Sequence, residues 1–197
     1  MTAGVRALTG SALAAALPAV ARLRIAVFRD WPYLYDGSLA YEERYLAKLA
    51  AAEGAVIVAA SDGGDIVGCA TAAPLAAVEE ELAAPFLARG LDIRRIFYCG
   101  ESVLLPAWRG RGLGHAFFDH REMHAQALGG FTHSAFCAVV RPEDHPLRPK
   151  DYTPLDAFWE TRGYARAEGF VARFAWKDVD EPTETEKPMQ FWMRALQ

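Results

Sequence analysis

The chain has 197 residues, a length typical of one domain, and we expect residues 1–197 to fold as one. Its 52% hydrophobic and 12% aromatic residues supply a sizeable core and exclude a disordered chain. The formal net charge of −4 excludes the basic field that attracts nucleic acid or acidic lipid, so we expect neither as a partner.

The N-terminal quarter predicts a short strand followed by two helices. The predicted ranges are 5–9 for the strand, 11–29 for a helix capped by Ser11, and 38–53 for a helix capped by Ser38. Between the helices, residues 31–37 (WPYLYDG) interrupt the helical period with a proline and a glycine. The alanine-rich start imitates a signal peptide, but Pro18 interrupts it, and we expect no span of about 20 apolar residues.

The rest of the chain alternates strands and helices. The predicted elements are a hairpin (55–60 and 65–72), a short helix (78–88), a strand (96–105), a helix (113–128), a strand (131–140), a short helix (155–162) and strands at 170–177 and 189–196. Residues 141–154 form an irregular stretch with four prolines, and the acidic residues 178–188 are predicted to be a solvated loop. This order predicts a mixed α/β sheet with helices on its faces.

Cysteine and histidine spacing gives no metal signature. Cys69, Cys99 and Cys137 each lie in an apolar strand segment and form no CxxC pair, which favours free thiols in a reducing compartment. His120 and His124 have metal-ligand spacing, but no glutamate directly follows the first histidine as it does in zinc peptidases. We expect no metal and a cytoplasmic protein.

The segment 109–114 (RGRGLG) joins an apolar strand directly to an amphipathic helix. The first N–H groups of a helix lack internal acceptors and carry partial positive charge, so such a junction binds phosphate. Three glycines allow close approach of the backbone, and two arginines add charge. A Walker motif needs Gly-Lys, which is absent, and the dinucleotide fingerprint needs G-x-G-x-x-G, whereas the spacing here is G-x-G-x-G.

What remains is the pattern Arg/Gln-x-x-Gly-x-Gly, formed by Arg109, Gly112 and Gly114 and preceded by LLP. With the later segment PLDAFWETRGY, these residues resemble the GNAT superfamily of acyl-CoA-dependent N-acyltransferases over nearly the whole chain, with the glycine-loop core at about 93–165. The resemblance implies an α/β (α+β) fold with a central mixed sheet of six to seven strands flanked by helices. It also implies acetyl-CoA as the acyl donor.

Specific roles follow from the resemblance. The loop would hold the coenzyme A pyrophosphate, the strand edge would pair with the pantetheine arm, and an edge N–H near Leu104 or Leu105 would polarise the thioester carbonyl. The implied cofactor-binding residues are Val103, Leu104, Leu105, Arg109, Gly110, Arg111, Gly112, Leu113, Gly114 and His115.

Four residues are candidates for the chemistry. Glu101 lies within an apolar strand, so it is either a general base or a buried carboxylate paired with an arginine or a helix N-terminus. Strict alternation places Tyr98 on the opposite face of the strand unless a bulge intervenes. Trp159 occupies the position of the family's frequent tyrosine acid, so Tyr152, or else Tyr164, is a substitute candidate, although a thiolate needs little acid help.

The acceptor side is less specific. Tyr33, Tyr35 and Asp36 combine aromatic faces with an anion, which suits a cationic amine, and His145 is a further candidate; a rigid packed loop is the alternative. Arg141 replaces the family's usual asparagine. We predict acetyl transfer from acetyl-CoA to a primary amine of a small molecule or peptide. The alternatives are an N-acyltransferase with a longer acyl donor and a silent acyl-CoA-binding or regulatory module. A homodimer is compatible with this fold.

Overall fold

Seven strands form one mixed sheet in the computed structural model, which describes residues 3–196. The strands are β1 (Gly4–Leu8), β2 (Val56–Asp62), β3 (Asp65–Pro74), β4 (Ile96–Leu104), β5 (His133–Val139), β6 (Ala165–Lys177) and β7 (Glu184–Ala195). The α-helices are α1 (Gly10–Phe28), α2 (Leu39–Ala51), α3 (Glu80–Leu87), α4 (Leu113–Leu128) and α5 (Asp156–Thr161). The strand order is β1-β2-β3-β4-β5-β7-β6, and the predicted order of elements and fold class are confirmed.

Helices cover both faces of the sheet. On one face, α1 and α2 pack over β2, β3 and β4 around Leu13, Val20, Leu46 and Ile57. On the other, α4 packs across β1 to β4 through Phe117 and neighbouring apolar side chains. The three cysteines are buried and free.

Three local predictions are wrong. Helix α1 begins at Gly10 after Thr9, so Ser11 does not cap it, whereas Ser38 does cap α2 by accepting a bond from the Tyr41 N–H. Strand β6 begins at residue 165 rather than 170. The segment 178–188 is not a solvated loop, because β7 already begins at residue 184 and both Asp178 and Lys187 are buried. Their opposite charges, 3.3 Å apart, explain how a charged segment enters the core.

The length of helix α1 also corrects the expectation that the chain has no apolar segment of about 20 residues. Among the described residues, it is the one helix that is long and apolar enough to cross a membrane, by length and composition only. In the fold, however, it buries Leu13, Val20 and Leu23 against the sheet, and its buried Arg24 is paired with carboxylates. We therefore interpret α1 as a helix of the core.

Strand β4 changes partners along its length. It pairs with β3 throughout, but it pairs in parallel with β5 only from Ile96 to Tyr98. Beyond Tyr98 the two strands part, although β4 continues to Leu104 and β5 continues to Val139. A β-bulge also lies in β4, since Cys99 and Ser102 are separated by two residues where their β3 partners are separated by one. The parted strands open a gap in the middle of the sheet.

Candidate active site

The glycine loop lies at the start of α4, next to this gap. Gly110 and Gly112 have φ of +71° and +78°, a region that disfavours side chains, and α4 begins directly after Gly112. No side chain caps the helix and no acidic residue lies in its first turn, so its leading N–H groups point outward without an internal acceptor. A Cβ built on either glycine meets only open space, so the loop forms an accessible backbone cradle.

The remaining loop residues shape this cradle. Arg109 is exposed and donates from Nε to the Leu104 carbonyl oxygen at 3.3 Å, while the Arg111 guanidinium lies 4.8 Å from the centre of the Trp108 ring. Gly114 allows close packing, since a Cβ there would lie 3.3 Å from the Phe158 ring. The cradle suits a pyrophosphate because its donors are backbone N–H groups and its side-chain charges are positive.

The end of β4 has one backbone N–H group that does not face β3. Val103 is buried and pairs with Cys69 of β3, and the Leu105 N–H donates to the Val67 carbonyl oxygen at 3.0 Å. The Leu105 N–H is therefore not a free edge donor, which corrects one of the two predicted positions. Because N–H directions alternate along a strand, the Leu104 N–H points away from β3 into the gap.

Glu101 is held in a buried ion cluster. Its Oε1 lies 2.6 Å from Arg24 Nη1, and Arg24 Nε lies 2.5 Å from Glu42 Oε2. All three side chains are at most 9% exposed. Burial alone would lower the pKa of Arg24, but Glu101, Tyr45 and Glu42 raise it well above its ordinary value. Arg24 therefore stays charged and balances one of the two carboxylates.

The β4 bulge brings Glu101 and Tyr98 to the same cavity. Both residues line a cavity of about 140 Å³, the smaller of two described below and called the smaller cavity from here on. The Tyr98 hydroxyl contacts the Cys137 thiol at 3.3 Å, and burial raises the pKa of both groups, that of Cys137 to about 12. Both are thus neutral at physiological pH and lie where β4 and β5 part.

Aromatic residues make up half of the residues that line the smaller cavity. They are Phe28, Tyr33, Tyr35, Tyr41, Tyr45, Tyr98, Phe174 and Trp176. Burial raises the pKa of Tyr45, and Glu101 adds to this effect, so the neutral hydroxyl can donate to Glu101 Oε2, 3.4 Å away. The cavity therefore presents aromatic faces and a buried carboxylate, the surroundings that stabilise an ammonium group.

Comparison with known proteins identifies the family. The sequence profile described as the Acetyltransferase (GNAT) family matches residues 20–149. The chain belongs to the GNAT acetyltransferase family. Among functionally curated proteins, none matches its sequence significantly.

Solved structures agree in fold at low sequence identity. Ribosomal-protein-alanine N-acetyltransferase from Brucella melitensis is 13% identical, with a TM-score of 0.63 and coverage of 98% of this chain and 99% of that chain. A candidate acetyltransferase from Salmonella typhimurium, solved with its cofactor acetyl-CoA, is 13% identical, with a TM-score of 0.56 and coverage of 100% and 95%. An aminoglycoside 6'-N-acetyltransferase in complex with coenzyme A is 14% identical, with a TM-score of 0.59 and coverage of 98% and 97%.

Several predicted site residues of this GNAT protein lie outside the smaller cavity. Asp36 is exposed and binds Arg29 and Lys177, which together lower its pKa. Tyr152 and His145 both pack on Trp31, at centroid distances of 5.8 and 5.1 Å, and neither lines the smaller cavity.

Two further predicted residues pack elsewhere. His115 is exposed, with its ring 4.9 Å from Phe158. Tyr164 is buried, and its hydroxyl bonds to Ser134 and Glu122. Tyr33 and Tyr35, in contrast, do line the cavity.

Three functional positions carry no motif in the sequence. Arg24 and Tyr45 come together only because α1 and α2 pack against each other. The one sign of this in the sequence is the positive charge of Arg24 on the otherwise apolar face of α1. Arg141, at the position of the family's asparagine, binds Asp178 and donates to the carbonyl oxygens of Pro32 and Tyr33. It anchors the loop that brings Tyr33 to the cavity.

The histidine pair of α4 has a structural environment. His124 Nε2 lies 3.0 Å from the Gly54 carbonyl oxygen, and the intervening Arg121 is buried and donates to the carbonyl oxygens of Thr71 and Glu101. Within residues 3–196, no group of three or more His, Cys, Asp or Glu side chains is arranged to hold a metal ion.

We expect Gly112→Ala to weaken coenzyme A binding at least tenfold, because a side chain at φ +78° strains the loop and projects into the cradle. Isothermal titration with coenzyme A measures the effect. Gly90→Ala is the matched control, since Gly90 has a similar φ of +71°, open space around it and a position outside the loop. Equal coenzyme A affinity in both variants would contradict the assignment of the loop.

Proposed function

We propose that this GNAT protein transfers the acetyl group of acetyl-CoA to a primary amine by direct attack in a ternary complex. One observation carries the proposal: β4 parts from β5 after Tyr98, which lines a cavity with a buried carboxylate and aromatic faces, and the same strand leads on to the uncapped start of α4. A donor held at the loop and an acceptor held in the cavity meet at the gap.

The donor side is supported by the loop and the strand edge. Backbone N–H groups from Gly110 to Gly114 would hold the pyrophosphate, and the open edge of β4 would hold the pantetheine arm. When bound, acetyl-CoA supplies an acyl group activated as a thioester. The Leu104 N–H, directed into the gap, is the candidate donor to a carbonyl oxygen placed there.

The acceptor side is supported by charge. The acidic and basic side chains that line the smaller cavity are Arg24, Glu79 and Glu101. Glu42 lies behind Arg24 and Lys48 lies 3.2 Å from Glu79, so carboxylates still outnumber basic groups. This excess of negative charge and the aromatic faces favour an ammonium group. Glu101 is the lining carboxylate that is buried, so we assign it the role of accepting the ammonium proton, directly or through a water.

Thiol release from acetyl-CoA in the presence of a panel of primary amines tests the proposal. We expect amine-dependent thiol release and a rise in the melting temperature with coenzyme A. A rise in melting temperature without turnover on any amine would support instead an acyl-CoA-binding module. The observation that favours this second candidate is Trp159, whose indole packs on Phe136 and Trp192 and supplies no acidic proton.

A further inference from the structure

The smaller cavity beside Glu101 adjoins a larger cavity of about 580 Å³. The residues that line both cavities are Tyr45, Glu79, Leu82, Tyr98 and Gly100. Tyr98 is also the last β4 residue paired with β5. The two cavities therefore lie side by side along these residues, next to the gap in the sheet.

Small apolar side chains create the larger cavity. Its lining includes five alanines, namely Ala51, Ala52, Ala72, Ala73 and Ala77. Leu49, Val78 and Leu82 complete much of the remaining wall. Short apolar walls leave room for a ligand and stabilise a hydrocarbon body, because binding removes apolar surface from water.

Charged groups in the larger cavity do not offer a buried site for a second ammonium group. Its lining carboxylates are Glu53, which is exposed, and Glu79, which lies 3.2 Å from Lys48 Nζ. The buried carboxylate next to this space is Glu101, in the smaller cavity. The two adjoining cavities therefore suit a ligand with one cationic end and one apolar body.

We propose that the acceptor is a primary amine carried on an elongated apolar body. Its ammonium group lies beside Glu101 and its body lies in the alanine-lined larger cavity. A cavity of this volume is within the range of roughly 300–1,000 Å³ that holds small organic ligands. This inference rests on the proposed acetyltransferase function.

A homologous series of amines tests the proposal. Thiol release is measured with benzylamine, 2-phenylethylamine, 3-phenylpropylamine and 4-phenylbutylamine, with spermidine and an alanyl peptide as comparators. We expect kcat/KM to rise roughly fourfold for each added methylene, mainly through KM, because each methylene buries more apolar surface. A flat series, or a higher kcat/KM for spermidine or the peptide, would overturn the proposal.

Filling the larger cavity provides the second test. In Ala52→Phe and Ala77→Phe we expect the dependence on chain length to flatten and kcat/KM for 4-phenylbutylamine to fall at least tenfold. Ala47→Phe is the control, since Ala47 is exposed on α2 and lines neither cavity. If both cavity-filling variants keep the full dependence of kcat/KM on chain length, the larger cavity does not bind the apolar body of the amine. Absence of thiol release with every amine would instead refute the proposed function.

Discussion

Glu101→Gln is expected to lower kcat/KM at neutral pH by about 100-fold or more, the usual minimum effect of losing a general base. The expected physical cause is that an amide cannot accept the ammonium proton. The rate of the variant should depend less on pH than the rate of the native protein. The pH profile of thiol release, measured with the same amine for both proteins, provides the check.

This variant should keep its fold. Glu101 shares Arg24 with Glu42, so removing one carboxylate leaves a neutral pair instead of an unbalanced charge. Glu43→Gln is the matched control, because Glu43 is exposed on α2 and lines neither cavity. We expect unchanged kcat/KM in this control. An unaltered pH profile in Glu101→Gln would exclude Glu101 as the base and leave it as a buried partner of Arg24.

Arg24→Leu is expected to lower the free energy of unfolding by about 3–5 kcal/mol at neutral pH, the effect of leaving buried charges without a partner. The substitution leaves Glu42 and Glu101 with no cation between them, although both side chains are at most 5% exposed. Chemical denaturation at neutral pH measures the effect.

Arg22→Leu is the control for this prediction. Arg22 lies on the same helix but is exposed, so its replacement should change the free energy of unfolding by no more than about 0.5 kcal/mol. If both variants are equally stable, the ion cluster does not contribute to folding.

The local geometry of the glycine loop was predictable from the sequence. A glycine loop before a helix is a local feature, because its φ angles and its unpaired N–H groups depend on residues adjacent in the chain. The segment 109–114 therefore indicated both the start of α4 and the phosphate cradle. The same is true of the alternation of strands and helices, which follows from hydrophobic periodicity.

The acceptor side was predictable only in part. Tyr33 and Tyr35 line the smaller cavity, but Asp36 is paired at the surface, and Tyr152 and His145 pack on Trp31 outside that cavity. These residues lie in irregular segments, and the path of each segment depends on contacts with residues far away in the chain. For the segment 31–37 the partner is Arg141, more than one hundred residues away.

By itself, the sequence determined the order of elements and the loop that precedes α4, since both depend on local propensity. The tertiary structure decided three things: that β4 and β5 part after Tyr98, that Leu104 rather than Leu105 has the edge N–H directed into the gap, and that Glu101 meets Arg24. Each of these depends on contacts between elements far apart in the chain. Such contacts arise only when the apolar faces of the helices and the sheet pack together.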